Sequence, residues 1–196
     1  MHLASTQGFH TIVEELISAG ADIHARNSYL WTPLSCASAC GWTKCGKLLL
    51  RAGASIETVD RNKNTPLHLA SKHGHDSFVQ LLIDNEADLT LLNLSDNNPL
   101  DEAIARGNRD AIIVFLSCDR WREALRKSKM TLTGCQDTPV KQLIKRHPDL
   151  AKIVLDRCIT TNLHDNKIKN QNDKTVSLDS PDFKVKTFFT YFYDKK

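Results

Sequence analysis

Residues of the same type recur at intervals of 33 along the first part of this chain, and this period restricts the fold more than any other feature. Six columns of residues follow it. They are Gly8, Gly41, Gly74 and Gly107; Ala4, Ala37, Ala70 and Ala103; Pro33, Pro66 and Pro99; Leu34, Leu67 and Leu100; Leu16, Leu49, Leu82 and Phe115; and Ala21, Ala54 and Ala87. Such agreement indicates four copies of one structural unit, each stacked on its neighbours.

The stretch Asn64–Ala87 is the best preserved copy and shows what each unit forms. Thr65 and Pro66 are suited to begin a helix, because the hydroxyl accepts a backbone N–H bond and proline needs no donor in the first turn. Gly74 suits a left-handed position that ends this helix. A second helix follows, and its apolar face is wide enough to meet both its partner and the next copy.

The run Thr65-Pro66-Leu67-His68-Leu69-Ala70 resembles the T-P-L-H-x-A signature of ankyrin repeats. We therefore predict an all-α fold, an ankyrin-repeat solenoid of about four repeats, followed by a helical linker and a short aromatic β segment. The predicted boundaries are 1–27, 28–60, 61–93 and 94–118 for the repeats, 119–158 for the linker, and 159–196 for a flexible loop with the terminal β segment. The residues expected to maintain the repeat structure are Thr32, Pro33, Gly41, Thr65, Pro66, His68 and Gly74.

Met1 aligns with the interior of a first helix, so we expect the chain to be a fragment of a longer one.

Short polar fingers separate the repeats, at Arg26–Leu30, Asp60–Asn64 and Asn93–Asn97. The ankyrin resemblance implies that the fingers and the first helices line a concave face that binds protein partners. The residues predicted to contact a partner are Tyr29, Leu30, Trp31, Arg61 and Lys63. Trp31 has a second interpretation, in which it packs onto the next finger.

The charge of the chain is divided between an acidic first part and a basic second part. Residues 1–118 carry 9 Lys and Arg against 13 Asp and Glu, whereas residues 119–196 carry 17 against 10. Within the basic part, Thr138-Pro139 repeats the helix-start pattern, and His147-Pro148 separates two helices that lie outside the 33-residue register. DNA recognition by this helix pair is disfavoured, because the helix that would read the bases is mostly apolar, and we predict no nucleic-acid partner.

The end of the chain has a different character. Residues 159–175 show no periodicity, which predicts a flexible loop. Aromatic and β-branched residues alternate along Phe183–Tyr193, which predicts a strand. No stretch reaches the roughly 18–20 apolar residues that a membrane helix needs.

The sequence shows no set of residues that indicates catalysis. His68, His73 and His75 cluster, but the ankyrin resemblance implies that His68 is a hydrogen-bond linker with Thr65 and that His75 is a turn residue, so we predict no metal site. No nucleophile–base set, phosphate-binding glycine loop or paired carboxylates stands out. We therefore predict neither an enzyme nor a cofactor. Three of the six cysteines occupy repeat positions where small residues pack, which favours a reduced, cytosolic setting over a disulfide framework.

The residues that follow the last repeat resemble one family of membrane proteins. Asp119-Arg120-Trp121-Arg122-Glu123-Ala124-Leu125, the run Pro139–Cys158 and the aromatic strand are similar to the junction between the ankyrin array and the first membrane helix in transient receptor potential channels of the ankyrin type (TRPA). The resemblance covers nearly the whole chain. It implies a part of a homotetrameric, calcium-permeable cation channel on the cytoplasmic side of the plasma membrane, which reaches the membrane only through sequence beyond Lys196.

The same resemblance implies that Cys158 and Cys135 are cysteines that electrophiles modify. Cys158 lies beside Arg157 and Cys135 lies in a polar loop, and both exposure and positive charge favour the reactive thiolate. The other interpretation, which the residues by themselves favour, is that both thiols are inert. Modification there is expected to shift the linker helices and bias a gate between two states. The alternative is a free-standing soluble ankyrin adaptor that mediates protein–protein binding.

Overall fold

The computed structural model describes residues 1–125, 129–130 and 136–157, with the backbone alone at 129–130 and 136–137. The chain divides into two compact units, Met1–Ile153 and Val154–Lys196. Within the described ranges, no helix has the length and apolar character needed to cross a membrane.

Two short helices form each of the four repeats. The first helices are α1 (His2–Gln7), α3 (Pro33–Cys40), α5 (Pro66–His73) and α7 (Pro99–Arg106). The second helices are α2 (His10–Ser18), α4 (Thr43–Arg51), α6 (Asp76–Asp84) and α8 (Arg109–Ser117). First helices contact one another in chain order, and so do second helices. This stacking confirms the all-α ankyrin-repeat solenoid that the period predicts, while the predicted boundaries of the repeats and linker stay predictions.

The first helices begin at capping residues that the sequence places at a 33-residue spacing. Thr32, Thr65 and Asn98 each accept a hydrogen bond from the backbone N–H three residues further on, and a proline follows each of them. Such caps satisfy N–H groups that have no partner inside the helix. The side chains of His68 and Asp101 complete the bonding by accepting from the cap residue's own N–H.

Glycine ends these helices because both the backbone and the neighbouring repeat require it. Gly41 has φ +76, in the left-handed region. A Cβ atom at this position would lie 2.5 Å from His75 Nδ1. Gly41 therefore serves both the end of α3 and the close approach of the next repeat.

Side chains from each repeat bond to the exposed carbonyls at the end of the preceding first helix. Trp42 Nε1 donates to the Thr6 carbonyl at 2.7 Å, and His75 Nε2 donates to the Ala39 carbonyl at 3.0 Å. Asn108 Nδ2 donates to the Lys72 carbonyl at 3.0 Å. The accepting residues are 33 positions apart, so at least one of the four orphan carbonyls at each of these helix ends is used to join repeats.

The core lies between the two rows of helices. The largest side chains that solvent does not reach include Leu34, Leu49, Leu67, Phe78, Leu82, Leu100, Ile112 and Phe115. Truncation of one such leucine to alanine destabilises a protein by about 2–5 kcal/mol. All of these residues except Phe78 and Ile112 occupy the columns that set the 33-residue register.

Three short elements follow the last repeat. They are α9 (Trp121–Leu125), β1 (Lys129–Met130) and β2 (Gln136–Asp137). The two strands pair antiparallel, with Lys129 opposite Asp137. The predicted aromatic β segment at 183–193 is separate from them and lies outside the described residues.

Helix α10 (Pro139–Arg146) extends the row of first helices although it lies outside the 33-residue register. Thr138 caps it by accepting the Lys141 N–H at 3.2 Å, and α10 contacts α7. Arg146 Nη1 donates to the Ala105 carbonyl at 2.9 Å, the position equivalent to the carbonyls that Trp42, His75 and Asn108 contact. Residues 148–157 are also helical.

Candidate protein-binding surface

Three five-residue turns, 27–31, 60–64 and 93–97, form the ends of the fingers, and we call them the finger turns. Asn27, Asp60 and Asn93 begin them and are 33 residues apart. The Oδ1 atom of each accepts two backbone N–H groups of its own turn, for example Asn62 N at 2.8 Å and Asn64 N at 2.7 Å on Asp60. These bonds fix the backbone in the conformation that Asn and Asp side chains favour.

The finger turns hold several predicted partner-binding residues out in solvent. Tyr29 is 67% exposed, Leu30 is 40% exposed, and Arg61 and Lys63 are also exposed. Leu30 and Lys63 have left-handed backbones, with φ of 62 and 58. The predicted residues therefore lie on two consecutive finger turns, and Leu94 on the third turn is another exposed apolar side chain at 62%.

Trp31 differs from its neighbours because it joins two fingers. Its Nε1 donates to Asp60 Oδ2 at 3.3 Å, and its ring centroid lies 6.4 Å from that of Tyr29. The side chain is partly buried. This is the arrangement described by the second interpretation of Trp31, in which it packs onto the next finger.

A chain of polar side chains continues from Trp31 beneath the finger turns. Asn64 Nδ2 donates to Asp60 Oδ2 at 3.0 Å, and Asn93 Nδ2 donates both to Asn64 Oδ1 at 3.0 Å and to Glu102 Oε1 at 2.8 Å. Buried amides that make several hydrogen bonds specify one arrangement of their partners. These bonds hold the second and third finger turns in one relative position.

Glu102 is a nearly buried carboxylate at the end of this chain. Burial by itself raises the pKa of its carboxyl, but hydrogen bonds from the Asn97 and Asn93 amides and the nearby Lys72 outweigh that effect and lower the pKa. The carboxylate is therefore charged at neutral pH and accepts both amides.

His68 links its repeat to the next finger turn. Its Nδ1 lies 2.9 Å from Thr65 Oγ1, and its Nε2 donates to the Asn97 carbonyl at 3.1 Å. Burial lowers the pKa of this imidazole. Ser35 occupies the equivalent position in the second repeat, where its hydroxyl pairs with Thr32 at 3.1 Å.

Sequence reasoning missed Asn93 and Glu102, which hold the finger turns together. A column of Asn or Asp at 27, 60 and 93 is visible in the sequence and could have identified the turns. Glu102 breaks an otherwise apolar column that holds Cys36 and Leu69, which is also a visible signal. The hydrogen bond between Asn93 and Glu102 is a tertiary contact, so the sequence pattern alone does not show it.

The two predicted reactive cysteines, Cys135 and Cys158, lie outside the described residues. Among the described cysteines, Cys36 and Cys45 are buried and Cys40 and Cys118 are partly exposed. Burial raises the pKa of the Cys36, Cys40 and Cys45 thiols, which disfavours their reactive thiolate forms.

Comparison with known proteins identifies the repeats. A family model for ankyrin repeats in three copies matches residues 1–93 and again residues 48–127. The two matches together extend from residue 1 to residue 127, which is more than half of the chain. No curated protein matches the chain.

Proposed function

This chain belongs to the ankyrin-repeat family, and we propose that it is a non-catalytic scaffold that binds a protein partner through its finger turns and the concave face formed by its first helices. The observation that carries the proposal is that Tyr29 and Leu30 are exposed to solvent on a turn whose backbone is held by hydrogen bonds to Asn27. Apolar and aromatic side chains on a rigid turn lose little conformational freedom when a partner covers them. Tyrosine is also enriched among residues that dominate binding energy.

The test uses binders selected on the full chain from a displayed peptide library. We expect the double variant Tyr29→Ala/Leu30→Asn to weaken most of them by about tenfold or more, because side chains of this kind commonly contribute over about 1.4 kcal/mol. Asn is chosen at position 30 because it accepts the left-handed backbone.

The matched control is Ile113→Ala on the second helix α8, because Ile113 is 41% exposed and Leu30 is 40% exposed. We expect this control to retain binding. If independent binders tolerate the double variant but lose affinity with the control, the finger turns are not the binding surface.

We further propose that the chain is the cytoplasm-facing, membrane-proximal segment of a homotetrameric TRPA-type channel. The sequence resemblance over 119–158 supports this, as does the attachment of residues 120–125, which include α9, to the third and fourth repeats. Asn98 Nδ2 donates to the Ala124 carbonyl at 2.9 Å, and Arg120 Nη1 donates to the Ala87 carbonyl at 3.1 Å. A segment bonded in this way can transmit movement from the repeats to whatever follows it.

The coding sequence beyond Lys196 tests the channel proposal. About six hydrophobic spans of roughly 20 residues support the channel, whereas an in-frame stop codon supports the soluble adaptor. Protein binding by the finger turns is independent of this result.

Thiol labelling tests the electrophile-sensing part of the proposal. We expect Cys135 and Cys158 to react with a small electrophile faster than Cys36, Cys40 and Cys45, because burial raises the pKa of the latter three thiols. Mass spectrometry of peptides at successive times gives the order. Faster labelling of the repeat cysteines would exclude the assignment.

A further inference from the structure

The later helices in the row of first helices carry accessible charge of one sign. In α5, α7 and α10 the accessible ionic side chains are basic, and the two carboxylates of α7, Asp101 and Glu102, are buried. Several second helices show the opposite sign, with exposed carboxylates at Glu14, Glu15, Asp76, Asp84 and Asp110. The negative charge of residues 1–118 is therefore concentrated away from the first helices.

Three of these basic residues, Lys72, Arg106 and Arg146, lie at the ends of successive first helices, and we call them the basic strip. The contact of Arg146 with the Ala105 carbonyl places it beside the end of α7. Helix α5 packs against α7, and Asn108, two residues beyond Arg106, donates its Nδ2 to the Lys72 carbonyl at 3.0 Å, so the ends that carry Lys72 and Arg106 are adjacent. The strip is thus continuous across three helices.

Among the described residues, the carboxylates that form ion pairs are directed away from the basic strip. Arg109 pairs with Asp149 and Arg120 pairs with Glu123, and neither pair involves the strip. Glu102 is near Lys72, but its carboxylate is directed to Asn93 and Asn97. Lys72 is partly exposed, and Arg106 and Arg146 are exposed.

Favourable interaction with helix dipoles does not account for the strip. Basic residues are favoured at every helix C-terminus for that reason. The second helices α6 and α8, however, have no basic residue in their last turns. The second helix α4 does end in a basic residue, Arg51, and the first helices α1 and α3 do not. What distinguishes the strip is that three neighbouring helices of one row, α5, α7 and α10, all end in basic residues.

We propose that the basic strip binds an acidic segment of a protein partner, an extended peptide with Glu or Asp at about every third residue. Packed helices lie about 8–10 Å apart. An extended chain in the polyproline II conformation rises about 3.1 Å per residue with three residues per turn, so every third side chain faces the same side at about the helix spacing. The inference rests on the proposed protein-binding function and names the partner's chemistry. A peptide is favoured over nucleic acid because the finger turns from which the first helices start present Tyr29 and Leu94, and because residues 1–118 are net acidic.

The experiment measures fluorescence anisotropy with the full chain and a labelled peptide of ~12 residues that has Glu at every third position. We expect saturable binding that weakens as salt rises from about 50 to 300 mM, since exposed charges are then screened. The variant Lys72→Gln/Arg106→Gln should raise Kd by about tenfold, at the upper range of two exposed charge contacts. Arg146→Gln is an independent second variant and should raise Kd by about twofold to fivefold.

The matched control, Lys44→Gln/Lys47→Gln, removes the same charge from exposed positions of α4. Equal weakening by the control and the strip variant would overturn the proposal. So would tighter binding of a ~12-nucleotide single strand or of phosphatidylserine vesicles than of the Glu peptide. If the Glu peptide does not bind but library binders still require Tyr29, the inference about acidic partners is wrong and the protein-binding function stands.

Discussion

The hydrogen bonds of Asn93 permit a quantitative test of how the finger turns are held together. Asn93 is 6% exposed, and its Oδ1 accepts from Ser95 N at 2.9 Å and from Asn97 N at 3.1 Å. Asn27 makes the same two kinds of bond, to Tyr29 N at 2.9 Å and Trp31 N at 3.0 Å. Replacing either asparagine with alanine removes the two backbone N–H bonds to its Oδ1 atom. The difference in the free energy of unfolding between the two variants therefore cancels most of the contribution of these turn bonds.

The remaining difference between the two variants comes from the two hydrogen bonds that the Asn93 side-chain amide donates. The bond to Asn64 Oδ1 joins neutral groups and contributes about 1 kcal/mol, while the bond to the Glu102 carboxylate contributes about 1.5–3 kcal/mol. We expect Asn93→Ala to lower the free energy of unfolding by about 3 kcal/mol more than Asn27→Ala. Urea unfolding followed by circular dichroism measures both values, and similar m-values would show that the same surface is exposed.

The variant Asn93→Asp separates turn geometry from the amide bonds. Asp60 shows that a carboxylate supports the turn, but Asp at position 93 places a second negative charge against Glu102. We expect destabilisation near pH 7 that diminishes as acid protonates one of the two carboxyls. A difference between Asn93→Ala and Asn27→Ala below about 1 kcal/mol, or an Asn93→Asp variant as stable as the parent, would refute the role assigned to this network.

Two further predictions concern the column that contains His68. Ser35→His should raise the free energy of unfolding by about 1 kcal/mol, because His68 and His2 each donate Nε2 to the next finger turn and Ser35 does not reach it. The melting temperature should rise by about 2–4 °C, whereas Ser35→Ala gives no such gain, and a lower melting temperature in Ser35→His would contradict the transfer of this bond. Burial lowers the pKa of His68 in the folded state below its ordinary value near 6.5, so its contribution to stability is present above pH 6.5 and is lost as the pH falls below it. Unfolding titrations near pH 7 and pH 5.5 should show a smaller loss in His68→Gln than in the parent, and an equal loss in both would exclude His68 as the titrating group.

The residue pattern is enough to locate much of the candidate surface. It does not show which side chains on that surface face solvent and which join neighbouring fingers. The placement of Tyr29, Leu30, Arg61 and Lys63 on exposed fingers follows from the register, since polar turn residues lie between helices. Trp31 is adjacent in sequence yet bonds to Asp60, 29 residues away. Which of two neighbouring side chains faces solvent depends on the next repeat, so local preference does not decide it.

The sequence by itself determined the repeat and its period, because helix caps, proline starts and left-handed glycine ends act over three or four residues of backbone. Thr65, Pro66 and Gly74 obey those local rules regardless of their neighbours. The tertiary structure alone decided that Glu102 remains charged beneath two asparagines and that α10 stacks on α7 despite a shifted register. Both depend on contacts between residues distant in sequence, where burial and hydrogen bonding between repeats outweigh the local pattern.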